Sequence, residues 1–586
     1  MKNDRRIGVG LGPPNIMFLV IVGIAAVLAT NLLDLKPPVI WEVWAAVALV
    51  ALLTGVFTYR SRTLFGWIHR RLTLRRSPRN TIAIYEADGV GFTWDGDRAA
   101  AYIEVLPQAY ATTVIGTDRE TVIRALPMDD IREELVQFDI RCDAVTTVTV
   151  GYNYERPSQA ATALQAAIGP VDALLYGRTF IEVGINLSAS LDSIYARRGS
   201  DDIPAGISRT VKIATERIRR RVAHAGWNTQ ILAKTTLQDL HADLAPQFTT
   251  ALAEENWSSC GPNSMRAIAF TPAANAWTTG NYREWCRLNT HRQVHITRLE
   301  RLRSGRDHAE MYVGFLTADP SALSTVTALG LRREHGQQGD IFTAALPLAK
   351  TVRPTAVAGK TLAEGSSFPI PLAPGGIGTF IGHTANRAQV FVNFTVGSEP
   401  FYIFGPAVMC QQLLVWLSTS GRSIDITLPG DEWKLFASRI GATYGTHRDA
   451  DIIVSDNNSY TDPTHAHQVR LVWSTTAPDT APSFAIVAGP EECILHSPTG
   501  QLRYRWSVST AEESFFTVAR PQRREPAKRT PAAAATPPLR TEAPKRPDLP
   551  RPSERPTRRQ PPPPPPRPDP PTGGRHATPT PRPPQR

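Results

Sequence analysis

Two apolar runs close to the start of the chain set the terms on which everything after them folds. "IMFLVIVGIAAVLATNLL", residues 16 to 33, has 18 residues, and "VIWEVWAAVALVALLTGVFTY", residues 39 to 59, has 21. At about 1.5 Å per residue a helix over each reaches roughly 27 and 31 Å, against a bilayer hydrocarbon core of about 30 Å. The reading is therefore two transmembrane helices, 16–33 and 39–59, behind a short N-terminus of residues 1–15. Only Asp34, Leu35, Lys36, Pro37 and Pro38 separate them. Two consecutive prolines cannot continue a helix begun before them, so the pair reads as a helical hairpin with a tight turn.

Orientation follows from the arginines. Arg60, Arg62, Arg70, Arg71, Arg75, Arg76 and Arg79 follow the second run, and Lys2, Arg5 and Arg6 precede the first, while the turn is near charge balance. Positive flanks stay on the cytoplasmic side, which predicts a multi-pass protein of the cytoplasmic (inner) membrane with both termini inside. A cleaved signal peptide ending near "VLA" (Val27 to Ala29) is the rival. It needs a longer apolar region than signal peptides use, and the second run would then stop transfer with the same side inward. Both branches place residues 80–586 in the cytoplasm. Residues 60–79 interleave Leu64, Trp67, Ile68, Leu72 and Leu74 with arginine. Such a segment either lies in the headgroup layer and attracts anionic lipid or continues the second helix as a topology signal.

The formal charge of +11 points to nucleic acid until it is divided along the chain. Residues 1–79 carry eleven Lys/Arg against three Asp/Glu, residues 521–586 fifteen against five, and the stretch between thirty-eight against forty-five. The globular part is mildly acidic, which argues against nucleic acid as a partner. Cys142, Cys260, Cys286, Cys410 and Cys493 are dispersed, with no CxxC. An odd, scattered set fits unpaired thiols in a reducing compartment better than a disulfide framework.

The fold class read from the pattern is α/β, with mixed or parallel sheets. Residues 80–250 read as one α/β domain with a hairpin at Asp95-Gly96, a strand over 143–152 and an amphipathic helix carrying Ile207, Val211, Ala214, Ile218 and Val222. Arg217, Arg219, Arg220 and Arg221 give that helix a basic face, either simply solvated or a docking surface. Residues 251–350 read as a continuation or a second α/β subdomain, with strands flanking "RSGRD". Residues 375–518 read as an α/β domain with a βαβ unit: "PFYIFG", a helix over "PAVMCQQLLVWLSTSG", then "SIDITL". Residues 521–586 hold 23 of the 50 prolines and almost no aromatic or branched side chains, which predicts a disordered Pro/Arg-rich tail with polyproline character. The tail either docks on a partner or simply solubilises the chain.

No stretch earns a catalytic, cofactor-binding or metal-binding assignment. "GKT" (Gly359 to Thr361) has Pro354 where a phosphate loop needs glycine, and two prolines follow. "DAD" (Asp449 to Asp451) resembles the aspartate pair that holds a divalent cation in sugar-nucleotide transferases, but it begins a strand where those pairs end one. "DGD" (Asp95 to Asp97) sits in a turn for backbone reasons. "HAH" (His465 to His467) lacks a third ligand at diagnostic spacing. His295, Asp307 and His383 form a triad only by selection, and no GxSxG, HExxH or GxGxxG is present.

The two-helix hairpin, the arginine-rich exit, "GVGFTWDG" with Trp94, Asp95 and Gly96, and the distal "FYIFGP...CQQLLVWLSTSGRSIDITLPGDEW" with Gly405, Pro406, Gly421 and Trp433 together resemble the EccE family of the actinobacterial type VII (ESX) secretion system. The resemblance covers roughly residues 10–515 in organisation. The long proline-rich tail departs from shorter family members. The resemblance implies a structural or accessory subunit of a membrane secretion complex, assembled with EccB, EccC and EccD, ATPase activity belonging to EccC. It implies no catalytic residues and a glycosyltransferase-like α/β body without established activity. The alternative from a different class is a membrane-anchored glycosyltransferase-like enzyme using "DAD".

Overall fold

The computed structural model describes residues 7–9, 13–32, 36–51, 57–59, 62–74, 81–116, 124–199, 202–302, 304–350, 359–397, 399–445, 449–456, 468–489, 492–498 and 500–516. The N-terminal hairpin is built from β1 (Ile7–Val9), α1 (Pro13–Leu32), α2 (Pro37–Ala51), β2 (Phe57–Tyr59), β3 (Arg62–Thr63) and α3 (Leu64–Thr73). The two prolines open α2: the Lys36 carbonyl accepts from Val39 N at 3.0 Å and Ile40 N at 3.1 Å, and proline is tolerated where a helix has no donor to supply. The second run is not one helix through Tyr59. α2 is described over Pro37–Ala51, residues 52–56 lie outside the described residues, and Phe57, Thr58 and Tyr59, all strand formers, pair antiparallel with β1. That pairing brings the chain entering α1 beside the chain leaving α2. Among the described residues no helix is long and apolar enough to cross a membrane. The first turn of α3 is closed by the Thr63 hydroxyl, which accepts from Gly66 N at 3.1 Å.

The body begins with β4 (Ile84–Ala87), β5 (Val90–Asp95), β6 (Arg98–Leu106), β7 (Thr112–Ile115), α4 (Met128–Glu133), β8 (Val136–Gln137), β9 (Ile140–Tyr152), α5 (Gln159–Ile168) and β10 (Tyr176–Asn186). It continues with α6 (Leu191–Arg198), α7 (Ile203–His224), β11 (Asn228–Ile231), α8 (Lys234–Ala253), β12 (Arg266–Pro272), α9 (Thr279–Cys286), β13 (Arg292–Arg301), β14 (Asp307–Thr317), β15 (Leu331–Arg333), α10 (Gln338–Thr343) and β16 (Lys360–Leu362). Nine of these strands form one path, β15-β12-β14-β13-β9-β10-β6-β5-β4, joined at its sides by β8, β11 and β16. The pairing of β9 with β13 carries this sheet straight across residue 250. Alternation along the strands sorts two cores. α4 and α7 cover Ile103, Val145, Val183, Ile185 and Leu299 on one face, and α8 and α10 cover Tyr102, Val148, Phe180 and Ile296 on the other.

The second lobe holds β17 (Thr379–His383), β18 (Gln389–Val392), β19 (Phe401–Phe404), α11 (Ala407–Ser418), β20 (Ile424–Ile426), α12 (Asp431–Ile440), β21 (Thr443–Tyr444), β22 (Ile452–Asp456), β23 (Val469–Ser474), β24 (Ala485–Ala488), β25 (Cys493–Ser497), β26 (Gly500–Tyr504) and α13 (Thr510–Phe516). Its eight-stranded sheet, β21-β20-β22-β23-β19-β24-β25-β26, is parallel through β24 and ends in an antiparallel hairpin. β19, α11 and β20 make the expected crossover, with β22 and β23 inserted between the two strands. The lobes share structure rather than merely touching. β7 pairs with β18, and Leu164 of α5 and Leu175 lie in the core that holds Phe391 and Trp416. The tail, 521–586, lies outside the described residues.

Candidate functional site

α3 is the place where the N-terminal hairpin is tied to the body, and one arginine does most of the tying. Arg70 Nε donates to the Gly336 carbonyl at 2.6 Å, and Nη2 donates to Asp340 Oδ2 at 2.7 Å and Glu255 Oε1 at 3.4 Å. The three side chains are only 13%, 15% and 7% exposed, so this contact is shielded from the screening that makes surface ion pairs weak. Trp67 meets Trp257 edge to face at 5.4 Å, and the Arg71 guanidinium lies 5.8 Å from the Trp257 ring centre. Gly336, at φ +70°, fits beneath that ring where a Cβ would stand 2.8 Å from it. Leu64, Ile68 and Leu72, spaced four apart on α3, are exposed. The helix thus grips the body with one side and presents an apolar stripe on another.

A second concentration of charge runs across the large sheet. Arg98 joins Glu182 at 2.8 Å and Asp143 at 3.2 Å, and Arg298 joins the same Asp143 at 3.0 Å. Two arginines hold the Asp143 carboxyl below its usual range against the opposing effect of burial, which is itself the largest influence. Arg98, Glu182 and Arg298 border a cavity of about 80 Å³ with Tyr102 and Tyr312. Further along, register sets Glu300 opposite His308 and Arg298 opposite Glu310. Donor atoms of Glu300, His308 and Glu310 lie within 4.8 Å of one another, a set of the kind divalent cations use. Each is also engaged within the protein: Arg298 Nε stands 3.9 Å from Glu300, His308 Nε2 3.9 Å from Glu310, and the Tyr312 hydroxyl donates to Glu310 at 3.5 Å. These contacts hold the three side chains together within the protein.

The sequence motifs that invited chemistry have structural work. Asp451 Oδ2 accepts from Ser423 N at 2.8 Å and from its hydroxyl at 2.7 Å, fastening β20 to β22, while Asp449 is exposed. Asp97 Oδ1 accepts from Ser188 N at 2.9 Å, and Asp95 accepts from Lys350 Nζ at 3.1 Å. "GKT" runs into strand β16, where Lys360 pairs with Ala309, so its amides do not wrap a ligand. "HAH" lies outside the described residues. The three triad candidates are each held elsewhere. His295 Nδ1 is 3.2 Å from the Tyr282 hydroxyl, and burial pushes its pKa down to about 4. Burial raises the Asp307 carboxyl pKa, but hydrogen bonds from Arg301 (2.7 Å) and Arg132 (2.6 Å) outweigh it and hold it below the ordinary value. His383 pairs through its backbone with Arg505. All five cysteines are buried, and none is in a disulfide.

A cleft of about 410 Å³ is lined by Glu155, Arg156, Arg422, Ser423 and Arg439 among others. Arg422 is committed inside the protein, donating to the carbonyls of Phe394 and Asp451. Burial lowers its pKa, the neighbouring Asp451 opposing. The Arg70 clamp had no sequence signal beyond its place in an arginine-rich segment, because its partners lie 185 and 270 residues away.

Comparison with known proteins shows what this body is similar to. Residues 177–271, from β10 through α6, α7, β11 and α8 to β12, match the EccE model, described as a "type VII ESX secretion system translocon". The ESX-1 secretion system protein EccE1 of Mycolicibacterium smegmatis is 22% identical over 422 residues, 69% of this chain and 80% of the relative. The ESX-1 secretion system protein EccE1 of Mycobacterium tuberculosis (H37Rv) is 23% identical over 502 residues, 82% of this chain and 93% of the relative. Similarity runs through most of both chains and the family's model is seated on the large sheet and its helices, so the chain is similar to the EccE proteins of the type VII secretion system.

Proposed function

We propose that this chain is an EccE-type accessory subunit of the type VII (ESX) protein secretion system, contributing to the assembly and stability of the membrane complex from its cytoplasmic side. The observation that carries the reading is the similarity to the EccE1 secretion proteins over as much as 82% of the chain. EccB, EccC and EccD are the partners it assembles with in this reading.

Anchorage by α1 and α2 fits their surfaces. Ile16, Met17, Val20, Ile21, Ile24, Val27 and Leu28 on α1, and Trp41, Leu49 and Val50 on α2, are exposed, an apolar area that water does not tolerate on a soluble protein. Arginines at the base of the hairpin favour the cytoplasm for both termini. The exposed Leu64, Ile68 and Leu72 of α3, among arginines, suit the headgroup layer of an anionic membrane. The committed roles of Asp451, Asp97 and Arg422 leave no residue to which we assign catalysis. The proline- and arginine-rich sequence of residues 521–586 suits a protein partner.

The experiment is purification of the ESX complex in mild detergent through a different subunit. This chain is expected in the complex, and its deletion is expected to shift the complex to smaller species on native gels and to abolish export. A complex of unchanged size and unchanged export would overturn the reading. A cysteine at Leu35 is expected to label with an impermeant thiol reagent in intact cells, and a tag after Arg586 to stay inaccessible.

A further inference from the structure

The two-residue turn joining β8 to β9 carries a side chain that its backbone does not want. Gln137 pairs with Ile140, leaving Phe138 and Asp139 as the turn, and Phe138 stands at φ +55°. Among the described non-glycine residues only Asp88, Tyr110 and Arg387 share that region with it, so Asp139 lies at negative φ. A hairpin turn with positive φ at the first central position alone selects glycine there. A bulky residue in this region is strained, and strain persists where the position has a use.

The ring packs into no core among the described residues. Phe138 is 92% exposed, the highest value among the exposed large apolar residues described, and Val136 beside it is also exposed. Tyr110 shows the contrast: it holds a similar φ but is buried among Phe394, Phe401 and Phe484. Around Phe138 the charge that no opposite charge offsets is of one sign. The Arg217 guanidinium lies 5.2 Å from the ring centre and donates to the Gln137 carbonyl at 3.3 Å. Arg141 stands opposite Val136 across the hairpin and is exposed. Among the described residues neither arginine has a carboxylate partner, whereas Asp139 is matched by Arg197, Glu216 by Arg219 and Arg220, and Glu134 by Arg221.

We infer that the Phe138 turn is a docking tip for an acidic protein surface with an apolar pocket: the ring enters the pocket and Arg141 and Arg217 meet carboxylates at its rim. A second copy of this chain is a poor occupant, since a symmetric contact would bring like charges together. A membrane is a poor one too. Gln137 donates to the Ala214 carbonyl of α7, which packs on one face of the large sheet, while α3 grips residues at the ends of α8 and α10, on the other. The tip therefore looks away from the lipid that α3 would meet. The inference builds on the proposed place in a complex and names a contact within it.

The test uses the full chain in its native membrane, with p-benzoylphenylalanine at position 138 as the probe. Irradiation is expected to give one protein adduct whose cross-linked peptide is rich in Asp and Glu. In parallel, Phe138→Gly is expected to melt at or above the wild-type temperature, because glycine relieves the turn, while its recovery with the complex drops at least fivefold. Arg217→Glu is expected to show the same loss. No adduct, an adduct to lipid, to a second copy or to a peptide without acidic character, or wild-type recovery of Phe138→Gly, each overturns the inference. Absence of the wild-type chain from the complex would instead overturn the proposed function, and the cross-link alone would then decide the docking tip.

Discussion

Arg70 of α3 and Asp340 of α10 meet at 2.7 Å across 270 residues of sequence. Between them the chain lays down most of the large sheet, so the contact closes the body back onto the segment that leaves the N-terminal hairpin. It turns what would be a tether into a bracket: the direction in which the hairpin leaves fixes the direction in which the body stands. For a subunit of an assembly, that orientation matters more than any single pocket.

Replacing Arg70 should therefore free the bracket. Arg70→Ala leaves Glu255 and Asp340 close together and largely buried without their cation, a change that typically costs about 3 kcal/mol. Hydrogen exchange in detergent should show loss of protection in residues 64–73 with the sheet strands little affected. Protection in α3 equal to wild type would show that Trp67 on Trp257 suffices.

Stability should also fall at mildly acidic pH for a reason that can be assigned. His295 is buried and its pKa is depressed to about 4, below the ordinary value of 6.5. The unfolded chain therefore binds a proton that the folded one refuses between about pH 6.5 and pH 4, so stability is full above this window and declines as pH falls through it. A shift of this size corresponds to about 3 kcal/mol at most. Chemical denaturation of wild type and His295→Gln at pH 7 and pH 4.5 should show a smaller pH-dependent loss in the variant. Asp143 and Asp307, whose pKa values are lowered, contribute stability that is lost only at more acidic pH, so their effect is separable.

How much of this could be read in the chain divides along physical lines. Local patterns carried well: the Asp95 hairpin, the strand at 143–152, the α7 stripe of Ile207, Val211, Ala214, Ile218 and Val222, and the β19-α11-β20 unit all depend on periodicity and on turn chemistry within a few residues. Long-range pairing did not. Nothing local says that β9 pairs with β13, that β7 joins β18, or that Arg70 finds Asp340. Phe57, Thr58 and Tyr59 belong to an apolar run whose composition suits helix or strand alike, and only the presence of β1 makes them a strand. "DDIREELVQF", residues 129–138, reads as helix throughout, yet α4 ends at Glu133 and Phe138 stands in the β8–β9 turn, because the pairing of Val136 and Gln137 with β9 has no local signal.

The aspartate pair that invited a transferase reading gives a decisive comparison. Asp451→Ala removes the acceptor of two hydrogen bonds from Ser423 and should lower stability by about 1–2 kcal/mol. Manganese and a sugar nucleotide, followed by calorimetry on the wild type, Asp449→Ala and Asp451→Ala, should show no heat of binding. Saturable binding lost in both variants would restore the enzymatic alternative.

The joint between the lobes makes the sharpest steric prediction. Gly376 sits at φ +84°, and a Cβ there would stand 2.4 Å from the Leu175 carbonyl oxygen and 2.7 Å from its carbon. Its neighbours make the joint itself, Ile377 N donating to the Leu174 carbonyl at 2.9 Å and Gly378 N to the Leu175 carbonyl at 2.8 Å. Backbone faces backbone here, so no side chain can swing away to make room. Gly365, at φ +72° with open space around its would-be Cβ, provides the control. Gly365→Ala should cost only the left-handed conformation, about 1 kcal/mol. Gly376→Ala should cost that and the clash, about 3 kcal/mol or more, by the same denaturation measurement. It should also loosen the joint: limited proteolysis should cut between the lobes in Gly376→Ala well before it does in Gly365→Ala. Equal costs for the two substitutions would mean that the Leu175 backbone yields, and that the lobes are held together by the shared core of Leu164, Leu175, Phe391 and Trp416 rather than by the close approach at Gly376.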